Sequence, residues 1–431
     1  MNIKSLLIGS AAALVAASGA RAADAVMAPE PEPVEYVRVC DAYGAGFFYI
    51  PGTETCLKIS GYVWYQIGAS SFDNYFFGLV GAAVPGADTP AFSGGAFAAD
   101  GWMKNIRARV NFDARSETEW GTLRSYFRVQ GSGSGTSDLG TAVDQAYIEL
   151  GGFKMGYSES FWVDSGNGGP SNYGSHSWGG MYYGYQQRAL IGYRFDSNGF
   201  FGALSLEDDA LNSFGATAVN VTFGGGALPA YAGQGGYIPD IVAKIGYAGG
   251  WGAVWAKVGY DSDRTNSFSA FFGAPHAGDD GWGAQLGMQF NMPNMPGSSL
   301  RLIGYYADSD NMYSTGSAFG SLFNVAYGAP GSGIAAGANG SAEWSILASY
   351  NQQFSETFGA SVAFQWFNDF YLPGTDVVAG LDGWGAELSA VWFPVKDFEV
   401  RGELHYDKIT NPGPDLFDGT VSGYLRFTRY F

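Results

Sequence analysis

Five arginines, Arg107, Arg109, Arg115, Arg124 and Arg128, fall close together, with Asp113 among them. In an extended chain, successive side chains point to opposite faces. Arg107, Arg109, Asn111, Asp113 and Arg115 therefore share one face of a first stretch, and Arg124, Tyr126, Arg128 and Gln130 share one face of the next. The reverse faces are mostly apolar, carrying Ile106, Val110 and Phe112 and then Leu123, Phe127 and Val129. A fixed row of guanidiniums with carboxylates nearby can steer and orient charged or polar solutes without making or breaking a bond. Arg188, Arg194 and Arg401 extend the candidate set, and Asp164, Glu149 and Glu403 add acids to it. Bond-making chemistry lacks its parts. His176, His276 and His405 lie far apart, and His405 alternates in step with Glu399, Arg401 and Glu403. The sequence shows no grouping of nucleophile, base and orienting residue and no set with metal-ligand spacing. No catalytic residue, metal or cofactor is expected.

Such a row needs strands with one polar and one apolar face. Stretches of about ten alternating residues, each ended by a turn signal, are the mark of a transmembrane barrel. Sixteen are expected, at 57–68, 102–115, 119–131, 142–150, 153–158, 187–196, 199–206, 240–248, 251–262, 281–291, 299–308, 342–353, 357–367, 383–393, 397–407 and 419–431. In the fifteenth, Phe398, Val400, Gly402, Leu404 and Tyr406 oppose Glu399, Arg401, Glu403, His405 and Asp407. The connections alternate short and long, with 69–101, 159–186, 207–239, 263–280, 309–341, 368–382 and 408–418 among the long ones. All long loops then leave one rim, as in outer-membrane barrels. A β-sandwich also alternates, apolar face inward, but it does not sort its connections this way. Arginine facing lipid at the midplane costs about 2–4 kcal/mol each, so the five are assigned to the lumen. The expected fold is all-β: a 16-stranded antiparallel transmembrane barrel.

Composition and processing signals agree. Aromatic residues make up 16% and charged residues only 14% of the chain, against about 25% charged in an ordinary soluble domain. Lys4, the apolar run 6–17 and the small residues Ala20 and Ala22 describe a cleaved leader over 1–22. An N-terminal segment over 23–56 follows, with a stiff spacer at Pro29, Pro31 and Pro33, and the barrel occupies 57–431. The formal net charge is −18, and loss of Lys4 and Arg21 makes it two units more negative. Acids such as Asp73, Asp88, Glu207, Asp279 and Asp382 concentrate in the expected long loops, where Arg264 and Lys408 are the only basic residues. With no exposed basic patch, a nucleic-acid partner is excluded. The loop acids could gather cations, bridge through divalent ions to lipopolysaccharide, or simply hold water. Cys40 and Cys56 belong to an exported chain, so a disulfide between them is expected, with two free thiols as the alternative.

The run 36–62, YVRVCDAYGAGFFYIPGTETCLKISGY, resembles the N-terminal signature of the alphaproteobacterial porins, general-diffusion outer-membrane porins of the rhizobial type. The stretch 113–124, DARSETEWGTLR, resembles that family's next block. Ala146, Tyr147 and Ile148 and the aromatic Phe431 on an alternating last strand agree with it. The resemblance implies a homotrimer of sixteen-stranded barrels in the outer membrane, passing small hydrophilic solutes and ions through a water-filled channel. It implies that the third long loop, 159–186 with Asp164, folds into the lumen. Asp164, Asp113, Glu149 and Glu403 would then face the arginines across a throat and set up a transverse field. It also makes attachment of Ala23-Asp24 to peptidoglycan an expectation. A sugar-type channel with an aromatic slide at Trp162, Tyr173, Trp178, Tyr182, Tyr183 and Tyr185, or a closed tethering barrel, are the alternatives.

Overall fold

Backbone groups inside a bilayer have no water to bond, so a crossing strand must be paired along both edges. The computed structural model meets that requirement with a closed ring of sixteen antiparallel strands. It describes residues 38–71, 101–133, 139–163, 181, 183–207, 219–223, 226–230, 238–262, 280–315, 342–371, 376, 378, 380, 382–410 and 419–431. The expected leader, the Pro-rich spacer, Asp164, His176 and His276 lie outside the described residues.

A two-residue strand, β1 (Phe48–Tyr49), precedes the ring. The first seven ring strands are β2 (Cys56–Ser71), β3 (Gly101–Thr118), β4 (Gly121–Gly133), β5 (Gly140–Leu150), β6 (Phe153–Glu159), β7 (Gln187–Ser197) and β8 (Phe200–Glu207). A separate hairpin, β9 (Val219–Phe223) with β10 (Gly226–Ala230), stands in the next long connection. The ring resumes with β11 (Asp240–Gly249), β12 (Gly252–Asp261), β13 (Gly281–Asn291), β14 (Ser299–Ala307) and β15 (Ala342–Ser355). It ends with β16 (Phe358–Phe370), β17 (Asp382–Val395), β18 (Phe398–Thr410) and β19 (Thr420–Tyr430). Strands β8 and β11 pair directly, and β19 closes on β2 from Val421↔Ser71 to Tyr430↔Tyr62. Each of the sixteen expected stretches overlaps one ring strand.

The barrel is apolar outside and polar within. Val143, Leu204, Leu286, Leu388 and Leu404 are exposed outward, while Gln66, Asn105, Ser205, Gln285 and Gln365 are buried. Outward aromatic pairs cluster at the rim of short turns, with ring centroids 4.9 Å apart for Phe153–Tyr193 and for Phe200–Tyr247, and 5.9 Å for Trp251–Phe290. Aromatic girdles of this kind mark a membrane–water interface.

Four expectations need correction. Glu207, expected in an outer loop, ends β8 on the inner face and is buried. Lys408 and Asp382, also assigned to loops, belong to β18 and β17, because both strands run past the alternating segment. The connection expected at 309–341 does not lie wholly outside, since residues 308–315 fold back into the barrel. Tyr313 there is fully buried against the inner wall.

The closing seam depends on one small residue. Gly61 and Phe431 exchange backbone hydrogen bonds of 2.9 and 3.1 Å. A Cβ at Gly61 would come within 2.7 Å of Phe431 Cζ and would also press on the Arg109 carbonyl. Gly61→Val should therefore cost about 1–3 kcal/mol by overpacking and lower the temperature at which the folded band unfolds on a semi-native gel. Gly304→Ala, whose Cβ would meet nothing within 4 Å, should leave that temperature in place. Equal temperatures for both variants would refute the seam argument.

Candidate functional site

Strands β2 to β5 bring the arginines together. Register places Arg107 opposite Ser132, Arg109 opposite Gln130, Asn111 opposite Arg128 and Arg115 opposite Arg124. Two cations directly opposed repel, and Asp113 resolves the conflict by binding both. Its Oδ1 and Oδ2 accept from Arg115 Nε and Nη2 at 2.9 and 2.8 Å, and from Arg124 Nε and Nη2 at 3.0 and 2.9 Å. Such paired fork contacts are the strong form of charge-assisted hydrogen bond. Arg124 Nη1 also reaches Glu149 Oε2 at 2.8 Å, and Glu149 Oε1 takes Arg194 at 3.1 Å.

A second node forms around Asp144, 3.2 Å from Arg128 Nη1 and 3.5 Å from Arg109 Nη2. Sequence reading missed Asp144, because strict alternation puts it on the apolar face with Ala146 and Ile148. The register of β4 against β5 slips between Arg128 and Val129, so Gln145 pairs with Arg128 and Val143 with Val129. A bulge leaves one residue unpaired and re-aims side chains. Asp144 is that residue, and it turns inward to the arginines.

Arg107 is different. It donates to Ser132 Oγ at 2.9 Å and lies 5.3 Å from the Trp64 ring, whose other neighbour is Arg426 at 4.7 Å. Among the described residues, no carboxylate pairs with it. Arg401 binds Glu399 at 2.9 Å, Glu403 accepts from the Tyr424 hydroxyl at 2.5 Å, and His405 Nδ1 is 2.7 Å from Asp407 Oδ2. Of the acids expected to oppose the arginines across the lumen, the described ones are placed differently, and Asp164 lies outside the described residues. Asp113 and Glu149 sit among the arginines, and Glu403 lies on β18, two strands from β2. Alternation fixes the face of a residue but not its azimuth around the ring, and charges on neighbouring strands find each other first.

The far wall is built differently. Residues 160–163 leave β6, and 181 and 183–186 return to β7, across the inner faces of β11 to β16. Trp162, Met181 and Tyr183 are buried there with Val242, Trp255, Ile303, Tyr305 and Leu347. Wall side chains fasten the loop: Glu207 Oε1 accepts from the Phe161 N–H at 3.0 Å, and Lys257 Nζ donates to the Trp162 carbonyl at 2.7 Å. Arg188 is buried beneath it, donating twice to Gln186 Oε1 at 2.9 and 2.8 Å. The inward segment 308–315 clamps this loop. Asp261 Oδ2 accepts from the Met312 N–H at 3.0 Å, Gln186 Nε2 donates to the Met312 carbonyl at 3.0 Å, and Tyr313 packs edge-on to Trp162 at 5.4 Å. Tyr313 fits because Gly259 leaves the wall bare beneath its ring and Gly283 leaves it bare beneath its backbone and Cβ. Burial and the nearby Asp240 carboxylate push its phenol well above the usual value, so it stays a neutral donor to Asp240 Oδ2 at 3.1 Å. Trp162 and Tyr183 thus pack the loop to the wall and cannot act as an exposed slide. Tyr173, Trp178 and Tyr182 lie outside the described residues.

Cys40 and Cys56 form a disulfide with Cα atoms 5.9 Å apart. Among the described residues, no His, Cys, Asp or Glu cluster could hold a metal ion.

Among solved structures, the outer membrane channel DcaP of Acinetobacter baumannii superposes with a TM-score of 0.56 at 12% identity, covering 89% of this chain and 99% of that one. The anion-selective porin from Comamonas acidovorans gives 0.52 at 11% identity, with 88% and 100% covered. At such identities the likeness concerns the fold alone. Porin Omp2b of Brucella suis is 44% identical over 275 residues, 61% of this chain and 67% of that protein. Porin Omp2b of Brucella abortus is 42% identical over the same length. The family described as the Porin subfamily matches residues 24–418, nearly the whole chain, and the chain belongs to it.

Proposed function

We propose that the paired arginine wall sets the ion preference of this outer-membrane porin, a passive channel for small hydrophilic solutes and ions. One observation carries the reading. The inner wall of β2 to β5 is lined by guanidiniums held by Asp113, Asp144 and Glu149, and an aromatic loop lies packed on the far side. Fixed lumen charge and pore width decide what such a channel passes. Arg107, Arg109, Arg115, Arg124 and Arg128 supply the cations, Asp113 is the counter-charge among them and Glu403 one further along the wall, and Asp164, outside the described residues, is assigned to the same set. A lumen of sixteen strands is too wide for side chains alone to fill, so the loop, not the wall, narrows it.

The assembly is a homotrimer in this reading, exported by removal of residues 1–22. An outward face rich in exposed leucine, valine and isoleucine serves both lipid and neighbouring subunits. A Vibrio cholerae protein of this fold, OmpT, is described in a trimer form, with a TM-score of 0.51. Purified protein refolded into a planar bilayer should open in groups of three equal steps, with a non-zero reversal potential in a salt gradient. Single independent steps would count against the trimer, and a silent membrane containing folded protein would count against the channel.

A further inference from the structure

The N-terminal disulfide draws a hairpin into the barrel. Cys56 opens β2 and pairs in register with Arg115, so its side chain lies on the inner face. The disulfide therefore holds Cys40 on that side, at the rim of short turns where β3 turns into β4. From there the chain doubles back. Val39 bridges Phe48, the Cys40 N–H bonds the Phe47 carbonyl at 3.0 Å, and β1 pairs with the first residues of β2. This hairpin lies on the β19 side of β2, yet its rings reach β3. Phe47 is buried 5.1 Å from the Arg115 guanidinium, and Tyr43 lies 5.7 Å from it and hydrogen-bonds Glu117. To span that gap, the tip must lie across the inner face of β2. Lys58 sits beneath it, donating to the Ala45 carbonyl at 3.1 Å with the Phe47 ring 5.7 Å away. Arg115 is paired with Asp113, a carboxylate it shares with Arg124. Lys58 stands in register with Asp113, yet among the described residues no carboxylate lies within ion-pair distance of its ammonium, which meets a backbone carbonyl and a ring face.

We propose that the disulfide-closed hairpin is an aperture element at the short-turn mouth of the channel: it narrows that mouth and masks the Lys58 ammonium from passing ions. The inference rests on the channel reading and adds a second control point, at the end opposite the long loops. The mouth keeps a less positive potential while the hairpin is docked, and undocking opens the mouth and exposes a cation together.

The test compares the parent barrel with Tyr43→Ala/Phe47→Ala, which keeps the disulfide, and with Cys40→Ser/Cys56→Ser, which removes it. Each is first confirmed as folded on a semi-native gel. In a planar bilayer under a potassium chloride gradient, both variants should show larger single-channel conductance and a reversal potential shifted toward anions. Adding Lys58→Gln to either should abolish the shift and keep the larger conductance. Folded variants with the parent's conductance and reversal potential overturn the proposal. So does a conductance rise with no shift, or a shift that survives Lys58→Gln. A parent barrel that does not conduct would instead overturn the channel function itself.

Discussion

Trp162→Ala enlarges the single-channel conductance and makes the in-folded loop sensitive to protease. Trp162 is completely buried, meets Tyr313 edge-on at 5.4 Å, and gives its carbonyl to Lys257 at 2.7 Å. Truncating a buried tryptophan costs about 3–5 kcal/mol. In an ordinary core that loss is spread over the whole protein. Here the barrel strands keep their ladders without the loop, so the cost falls on the contact between loop and wall. The loop then spends time away from the wall, and the lumen widens and fluctuates. Gly259→Val approaches the same contact from below, because a side chain there occupies the space of the Tyr313 ring. Both variants should show larger and noisier conductance, while the folded barrel persists on a semi-native gel. A conductance equal to the parent's, with the loop still resistant to cleavage, would show that the loop does not limit flow.

The second expectation concerns sign. Asp113→Asn/Asp144→Asn removes the carboxylates that hold four of the five arginines, Arg115 and Arg124 in one case and Arg109 and Arg128 in the other. The guanidiniums remain, so the wall becomes strongly positive and the reversal potential in a salt gradient moves toward anions. Hydrogen bonds to charged groups are worth about 1.5–3 kcal/mol each, and their loss also loosens the side chains. Arg107→Gln moves the reversal potential the other way. Its contacts are a serine hydroxyl and an aromatic ring, so the change removes a positive charge and strands no buried acid. Shifts of opposite sign in the two variants support control by this wall. An unchanged reversal potential in both would move selectivity to the loops.

The strands were legible because a membrane barrel imposes period two on every crossing segment, and no competing fold sorts its connections by length. The face of Arg107 or Arg124 follows from that period alone. Neighbours around the ring do not. Asp113 could be assigned to the inner face, but only the register of β3 against β4 shows that it holds Arg115 and Arg124 together. Asp144 was hidden because one slip of register reverses parity. Tyr313 carries no periodic signal, and its place depends on two glycines on other strands, Gly259 and Gly283, that leave room for it. Glu207 and Lys257 looked like loop and strand charges of no special role, yet they fasten the loop at Phe161 and Trp162.

The seam between β19 and β2 joins the far ends of the chain, with Arg426 bonding Gln66 across 360 residues of sequence at 2.8 Å. Contacts that far apart form late, since the loop they close must be ordered first. Until β19 arrives, β2 presents a bare edge, and an open strand edge pairs with any chain that offers one. Assembly of this barrel is therefore all-or-none at its last step, and the half-made protein must be kept apart from its copies until the ring shuts.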